Sequence, residues 1–412
     1  MSFSMSDLAK VLKRRYFKGQ VPDATLKKFP LFTLLSKDND FVGEYLVVPI
    51  KYAKQQGRSR TFASAQTNTG NPKWDRWLID VTADYVDAQV PREAVLRTKD
   101  PGAFVSMFAD QIDDAIAVLD ENTAGNLFRA QYGVRGQLSA TTSVTTWAVT
   151  LADPTQECMF EPGMVLRAGP NANGTSLCSG SVTLGAVDRE NGILYTTKDT
   201  SYWDVLMNSG GGTLAVNYFL FQDGDATKGI TGLPAWLLDS SPVAGDKFYD
   251  VDRHVDTRLY GTYYDGSTSV IEEAIKRGLA KCARRGGSPD KVFLSPDDYQ
   301  DLEISLLNSN LLKRTVAKTE DGKYGFDGIE IGYGTGTATA LADPKCPPNT
   351  AWGLEMDTWN LTYMGPKVGS TIIDEDGQLI RVYNADSYDI RCGNWTQLYC
   401  EKPGNNVRIK LR

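Results

Sequence analysis

The sequence predicts an α+β chain, and three observations carry that prediction: an extended two-stranded basic arm, one long amphipathic helix directly after it, and a later stretch made only of short strands. Helical periodicity returns further on, after Ser269, before the chain closes in strands.

The arm comes first. Tyr45-Leu46-Val47-Val48-Pro49-Ile50-Lys51-Tyr52 is rich in β-branched and aromatic residues, and Trp77 to Val86 alternates apolar with polar, as a half-exposed strand does. Between them Lys54-Gln55-Gln56-Gly57-Arg58-Ser59-Arg60 leads into a Ser/Thr/Asn/Gly stretch ending near Pro72, with no apolar content to fold back on. A hairpin of this kind does not bury its faces alone, so it predicts a neighbour.

The long helix follows. Asp100-Pro101 suits a helix start, with proline in the first turn. Phe104, Phe108, Ile112, Ala115, Ile116, Leu119, Leu127 and Phe128 recur at three- and four-residue steps, and Phe104, Phe108, Ile112, Ile116 and Leu119 are its expected core face. Neither glycine nor proline interrupts Ala103 to Ala124, so Gly125 is expected near a weakened end.

From about Ser139 to Asp225 the texture changes to short strands: Thr145-Trp147-Val149-Leu151, Met164-Val165-Leu166, Val182-Leu184, Ile193-Leu194-Tyr195 and Ala215-Val216-Tyr218-Phe219. Asn173-Gly174 and Asn191-Gly192 mark turns between them, which predicts an inserted small β-barrel or sandwich. After Ser269, Ile271, Ala274, Ile275, Leu279 and Cys282 give a helix closed by Arg284-Arg285-Gly286, and Ser295-Pro296-Asp297-Asp298 starts another carrying Leu302, Leu306 and Leu307. The run from Ile372 through Arg391 to Leu411 reads as returning strands.

Composition narrows the function classes. The 412 residues carry a net charge of −7, so the chain is not a sequence-reading DNA binder. Its first 28 residues are nevertheless basic, with Lys10, Lys13, Arg14 and Arg15 in one cluster, which suits docking or non-specific contact with DNA phosphates. No apolar run reaches the roughly 18 residues that span a membrane, and no signal peptide is expected at the N-terminus. The six cysteines form no C-x-x-C pair and read as reduced, partly buried small residues. His254 is the only histidine, which excludes Ser-His-Asp, Cys-His and two-histidine metal sites within one chain. Gly332-Tyr333-Gly334-Thr335-Gly336-Thr337 lacks the third glycine of a dinucleotide loop and reads as a flexible loop; Ser209-Gly210-Gly211-Gly212-Thr213 lacks the Lys-Ser/Thr of a phosphate loop. Asp223-Gly224-Asp225 has Lys228 and Pro234 where a calcium loop needs Gly and Glu, and reads as a turn. No catalytic, cofactor-binding or metal site is expected.

In the order of these parts the sequence resembles the major capsid proteins of tailed bacteriophages, with the Hong Kong 97-type fold. The resemblance extends to Gly229-Ile230-Thr231-Gly232-Leu233-Pro234, to the strand-to-helix step Lys291 to Tyr299, and to Asn349 to Tyr363 as a late axial-domain strand. It implies an N-terminal arm over 1–36, an extended loop over 37–97, a peripheral domain with its spine helix over 98–138, the inserted β-domain over 139–225, an axial domain over 226–360 and returning peripheral strands over 361–412. The implied function is a non-enzymatic subunit that forms hexamers and pentamers in an icosahedral shell around double-stranded DNA, made in the host bacterial cytoplasm and residing in the virion. Lys51, Lys54, Arg58 and Arg60 are then expected to meet acidic surfaces of adjacent subunits. Implied partners are further copies of the chain, a separate scaffolding protein, portal and decoration proteins, and packaged DNA. An encapsulin-like nanocompartment shell is the alternative within the same fold, and a β-rich carbohydrate-binding or hydrolytic protein the alternative outside it.

Overall fold

The computed structural model describes residues 29–39, 41–93, 107–130, 132–197, 203–207, 214–308, 328–364, 371–372, 380–382 and 385–412. The arm is a hairpin in which Leu46–Ala53 pairs antiparallel with Lys73–Ile79, Leu46 opposite Ile79 and Ala53 opposite Lys73. Successive side chains alternate between the two faces, so Ile50, Trp77 and Ile79 enter the core while Val47, Lys51 and Trp74 stay exposed. The expected single strand Trp77 to Val86 is in fact two. The chain leaves the ladder at Asp80-Val81, and Thr82–Pro91 pairs instead with Ser387–Cys400, Thr82 opposite Thr396 and Pro91 opposite Ser387. An alternating pattern records which face is buried and is blind to a change of pairing partner. The tip holds a short helix, Phe62–Thr67, none of whose residues is buried.

The long helix runs over Met107–Leu127 and lies on Thr82–Pro91 and Ser387–Cys400. It passes through Gly125 rather than fraying there, because Gly125 lies against the insert: a Cβ at that position would come within 2.6 Å of Met159 Cε. Leu119 is fully buried, Ile116 half-buried. Phe104 lies outside the described residues, as do the helix start at Asp100-Pro101 and the side chains of Phe108 and Ile112. Thr123 seats the helix on the strand beneath it, its hydroxyl accepting from Asn394 Nδ2 at 3.0 Å.

Ser387–Cys400 organises the first sheet. It pairs with Thr82–Pro91, with Thr371–Ile372 and Ile380–Arg381, and with Trp359–Tyr363, beyond which lies Ser36–Asp38. A second sheet has the order Thr262–Asp265, Val407–Lys410, Thr350–Leu354, Lys291–Leu294, Thr337–Ala342, Ile329–Gly332. The helices Ile271–Arg284 and Pro296–Asn308 cover one of its faces and bury Ile275, Leu279, Leu302, Val292 and Ile409 with it. Ser295 caps the second helix as its sequence predicts, accepting from Asp298 N at 3.1 Å and donating to Asp298 Oδ2 at 2.7 Å.

Three expectations change here. The stretch from Asn349 to Tyr363 is two strands in two sheets, Thr350–Leu354 in the helix-backed one and Trp359–Tyr363 in the first, joined by a 3-10 turn at Met356–Thr358. The closing run divides likewise: Val407–Lys410 joins the helix-backed sheet between Thr262–Asp265 and Thr350–Leu354, so residues 361–412 do not all return to one sheet. Asn406 fastens this crossing, its Oδ1 accepting from Glu355 N and Trp359 Nε1, each at 2.8 Å. Gly332 to Thr337 is a hairpin connection rather than an open loop, with the Tyr333 hydroxyl donating to Pro289 O at 3.0 Å.

A third six-stranded sheet lies within Val134–Gln222, in the order Val134–Gln137, Phe219–Gln222, Val165–Gly169, Val182–Asp188, Ile193–Thr196, Ala148–Thr150. It has its own apolar cluster, including Phe160, Leu166, Leu184, Trp203 and Leu220. It starts before the expected Ser139, because Val134–Gln137 pairs with Phe219–Gln222 rather than continuing the helix region. The run Ala215 to Phe219 becomes a strand only at Phe219, after Asn217 takes φ 65°. The central core joins Leu31, Trp77, Leu127, Trp236, Trp352 and Trp359 from otherwise separate parts of the chain. All six cysteines are free.

Candidate intersubunit surfaces

The arm has two unlike ends. At its base Trp77 packs edge-on against Trp236 at 5.3 Å and Phe248 at 6.1 Å, and Arg258 donates to the Tyr52 carbonyl at 2.7 Å. Beyond Tyr52 the described hydrogen bonds of residues 54–72 stay within that segment; Gly70 N to Gln56 O at 2.8 Å closes the tip. Phe62 is 83% exposed and Trp74 61%. From Leu46 to Ile79 six basic residues face the single acid Asp75.

Lys51 lies over the Trp74 ring, 5.1 Å from its centroid, so this cation serves the arm's own cross-strand pair. Lys54, Arg58 and Arg60 are exposed and form no ion pair among the described residues. Lys10, Lys13, Arg14 and Arg15 lie outside the described residues.

A second feature has no counterpart in the sequence reading: a polar junction where the long helix, the third sheet and the 343–349 loop meet. Lys345, 2% exposed, donates to Glu121 Oε1 at 2.6 Å and also to the Cys158 carbonyl. Beside it Arg135 donates to Asn122 Oδ1 at 2.6 Å and pairs with Asp225 at 3.3 Å, while Asn122 Nδ2 donates to Asp84. Burial pushes the Asp84 and Asp225 carboxyls up, and Arg135 pulls both back. On the same loop, buried Asp343 accepts from Leu31 N at 3.0 Å and Lys345 N at 2.9 Å; burial raises its carboxyl to about 6 against these bonds. The partners lie far apart in the chain, and nothing in their local patterns pairs them.

Two cavities flank this junction. One, about 830 Å³, is lined by Glu121, Glu157, Glu161, Glu190 and Asp297 with Arg189. The other, about 570 Å³, has Tyr85, Val118, Leu119, Met159 and Met164 along it and Asp84, Glu121 and Glu161 at its polar positions. A third, about 370 Å³, is basic, with Arg408, Lys410 and Arg412 beside Asp239. His254 sits exposed in a 3-10 turn where its backbone N–H donates to Asp252 Oδ1 at 3.0 Å. Among the described residues no group of three or more His, Cys, Asp or Glu is placed to hold a metal ion, and no helix is long and apolar enough to cross a membrane. The chemistry on view is that of association: a bare basic arm, and acidic and apolar hollows elsewhere.

No family model and no curated protein matches the sequence. Solved structures do. A chain of the cyanophage A-1(L) capsid asymmetric unit is 12% identical, with 97% of each chain covered and a TM-score of 0.58. The capsid of Myoviridae phage XM1 gives 8% identity, 99% and 98% coverage and a TM-score of 0.49. The holo-SrpI encapsulin of Synechococcus elongatus gives 9%, 100% and 96%, and 0.46. The likeness to the cyanophage chain over nearly the whole of both chains shows the fold: α+β, of the Hong Kong 97 type that the sequence resembles.

Proposed function

We propose that this chain is the major capsid protein of a tailed bacteriophage, a non-enzymatic subunit that closes into an icosahedral shell of hexamers and pentamers around double-stranded DNA. Fold alone does not assign function. The observation that carries the reading is the arm, whose base is built into the subunit core and whose tip is stabilised by nothing in its own chain. A covered base and a bare, basic tip fit a part that works on another copy. The full-length likeness to a capsid subunit supports the same reading.

On this reading Lys54, Arg58 and Arg60 meet acidic surfaces of neighbouring copies, and Lys10, Lys13, Arg14 and Arg15 approach packaged DNA without reading its sequence. The sheet within Val134–Gln222 is an inserted accessory domain. Portal, scaffolding and decoration proteins are its further partners, and the virion is its location. Electron microscopy of the purified protein tests the core of the proposal. Closed shells with fivefold and sixfold clusters are expected, with DNA rather than protein cargo inside particles from infected cells. A protein that stays monomeric across salt and concentration, or shells that hold enzymes, overturns it.

A further inference from the structure

The tip of the arm and the hollow beside the long helix are complementary surfaces of one molecule, and neither is covered in it. Phe62 begins the tip helix with its ring in solvent, and Arg58 and Arg60 flank it without ion pairs among the described residues. The 570 Å³ groove carries two of the chain's exposed large apolar side chains, Val118 at 49% and Tyr85 at 59%, over a floor of Leu119, Met159 and Met164. Its acids are Asp84, Glu121 and Glu161. Its two cations, Arg135 and Lys345, are themselves buried and already engaged by Asp225, Asn122 and Glu121. Glu121, Glu161 and Pro162 also line the larger cleft, which adds Glu157, Glu190 and Asp297 and only Arg189 in opposition. The third cavity, with Arg408, Lys410 and Arg412, would repel a basic tip.

We infer that the arm of one copy seats Phe62 in the groove between the long helix and the inserted sheet of a second copy, with Arg58 and Arg60 against the acids of the groove and its neighbouring cleft. This rests on the shell reading and adds to it the partner surface. A large apolar side chain held in a desolvated pocket and ringed by charge is the arrangement that concentrates binding energy at an interface. The rim charges set the salt dependence.

The test is a cysteine pair, Phe62→Cys with Val118→Cys, treated in assembled particles with a short bis-maleimide. Covalent dimers and higher ladders are expected in the double variant, and neither in the two single variants or the unsubstituted protein, nor in subunits dissociated before treatment. If Val118→Cys lowers the subunit's melting temperature, Tyr85→Cys replaces it and gives the same ladder. Shells of normal appearance that yield no ladder with either pair overturn the groove as the docking site while leaving the shell proposal standing. A protein that forms no shells at all removes both. In a second measurement, Phe62→Ser is expected to raise the protein concentration needed for assembly at least tenfold and Phe62→Leu to restore most of it; equal behaviour of Ser and Leu overturns the apolar seat.

Discussion

The two halves of the arm are built from the same pair of strands, yet they obey different accounting. At the base every second side chain is buried, and Trp77 and Ile79 are completely removed from solvent. At the tip the backbone closes on itself through Gly70 and Gln56, and no side chain of Phe62–Thr67 is buried. The base therefore belongs to the stability of the subunit, and the tip to whatever the subunit joins. Substitutions in the two halves should separate folding from assembly.

The largest effect is expected at the base. Trp77→Ala removes a fully buried indole from a cluster of aromatic rings and should lower subunit stability by about 3–5 kcal/mol in denaturant titration. Because the indole N–H is buried without a hydrogen-bond partner, Trp77→Phe should cost clearly less. Equal losses in the two variants would show that polarity rather than volume holds the base.

A smaller, pH-dependent effect is expected where Asp343 ties Leu31 to the base. Its carboxyl is raised from 3.8 to about 6, so the stability tied to its neutral form is fully present below about pH 4 and is lost as pH rises through 6. The span is at most roughly 3 kcal/mol at 1.36 kcal/mol per unit. Asp343→Asn cannot titrate, and presents an amide to one of the two backbone N–H groups. It should be less stable at low pH but show a flatter profile between pH 4 and 7 in thermal melts. An unchanged slope would mean that Asp343 is not the group titrating there.

The smallest effect on the subunit is expected at the tip. Arg58→Glu with Arg60→Glu should leave the melting temperature of the monomer unchanged and abolish or weaken assembly, with altered salt dependence in light scattering. Loss of monomer fold would place these residues in the base's role instead.

Much of this architecture is legible in the residues, for local reasons. The strand Leu46–Ala53, the helices Ile271–Arg284 and Pro296–Asn308, and the Ser295 cap announce themselves by periodicity and by capping chemistry that depends only on near neighbours. What was hidden depends on partners distant in sequence. The switch of Thr82–Pro91 to a new partner, the division of the Asn349 to Tyr363 run and the placement of Val407–Lys410 leave the alternating pattern intact while changing the sheet. Gly125 reads as a helix breaker until Met159 is seen against it. At the surfaces, the bare basic tip follows from composition alone, but the junction of Lys345, Glu121 and Arg135 has no local signature. Its members come from the long helix, the third sheet and a loop more than two hundred residues further on, Lys345 being 224 residues from Glu121.

The position of Val407–Lys410 also dictates an order of events during synthesis. Thr262–Asp265 has a single partner in its sheet, that strand, and Ile409 packs directly over Gly278 on the helix Ile271–Arg284. A ribosome that has emitted the first three hundred residues has therefore released a strand with an unpaired edge and a helix with an open apolar face. Both wait for residue 407 and those after it. Non-local pairing of this kind is slow and leaves adhesive edges in the interim. In a cell crowded with identical chains, the nascent subunit is most prone to wrong partners before residue 407 emerges, when its own sheet is still open in the middle.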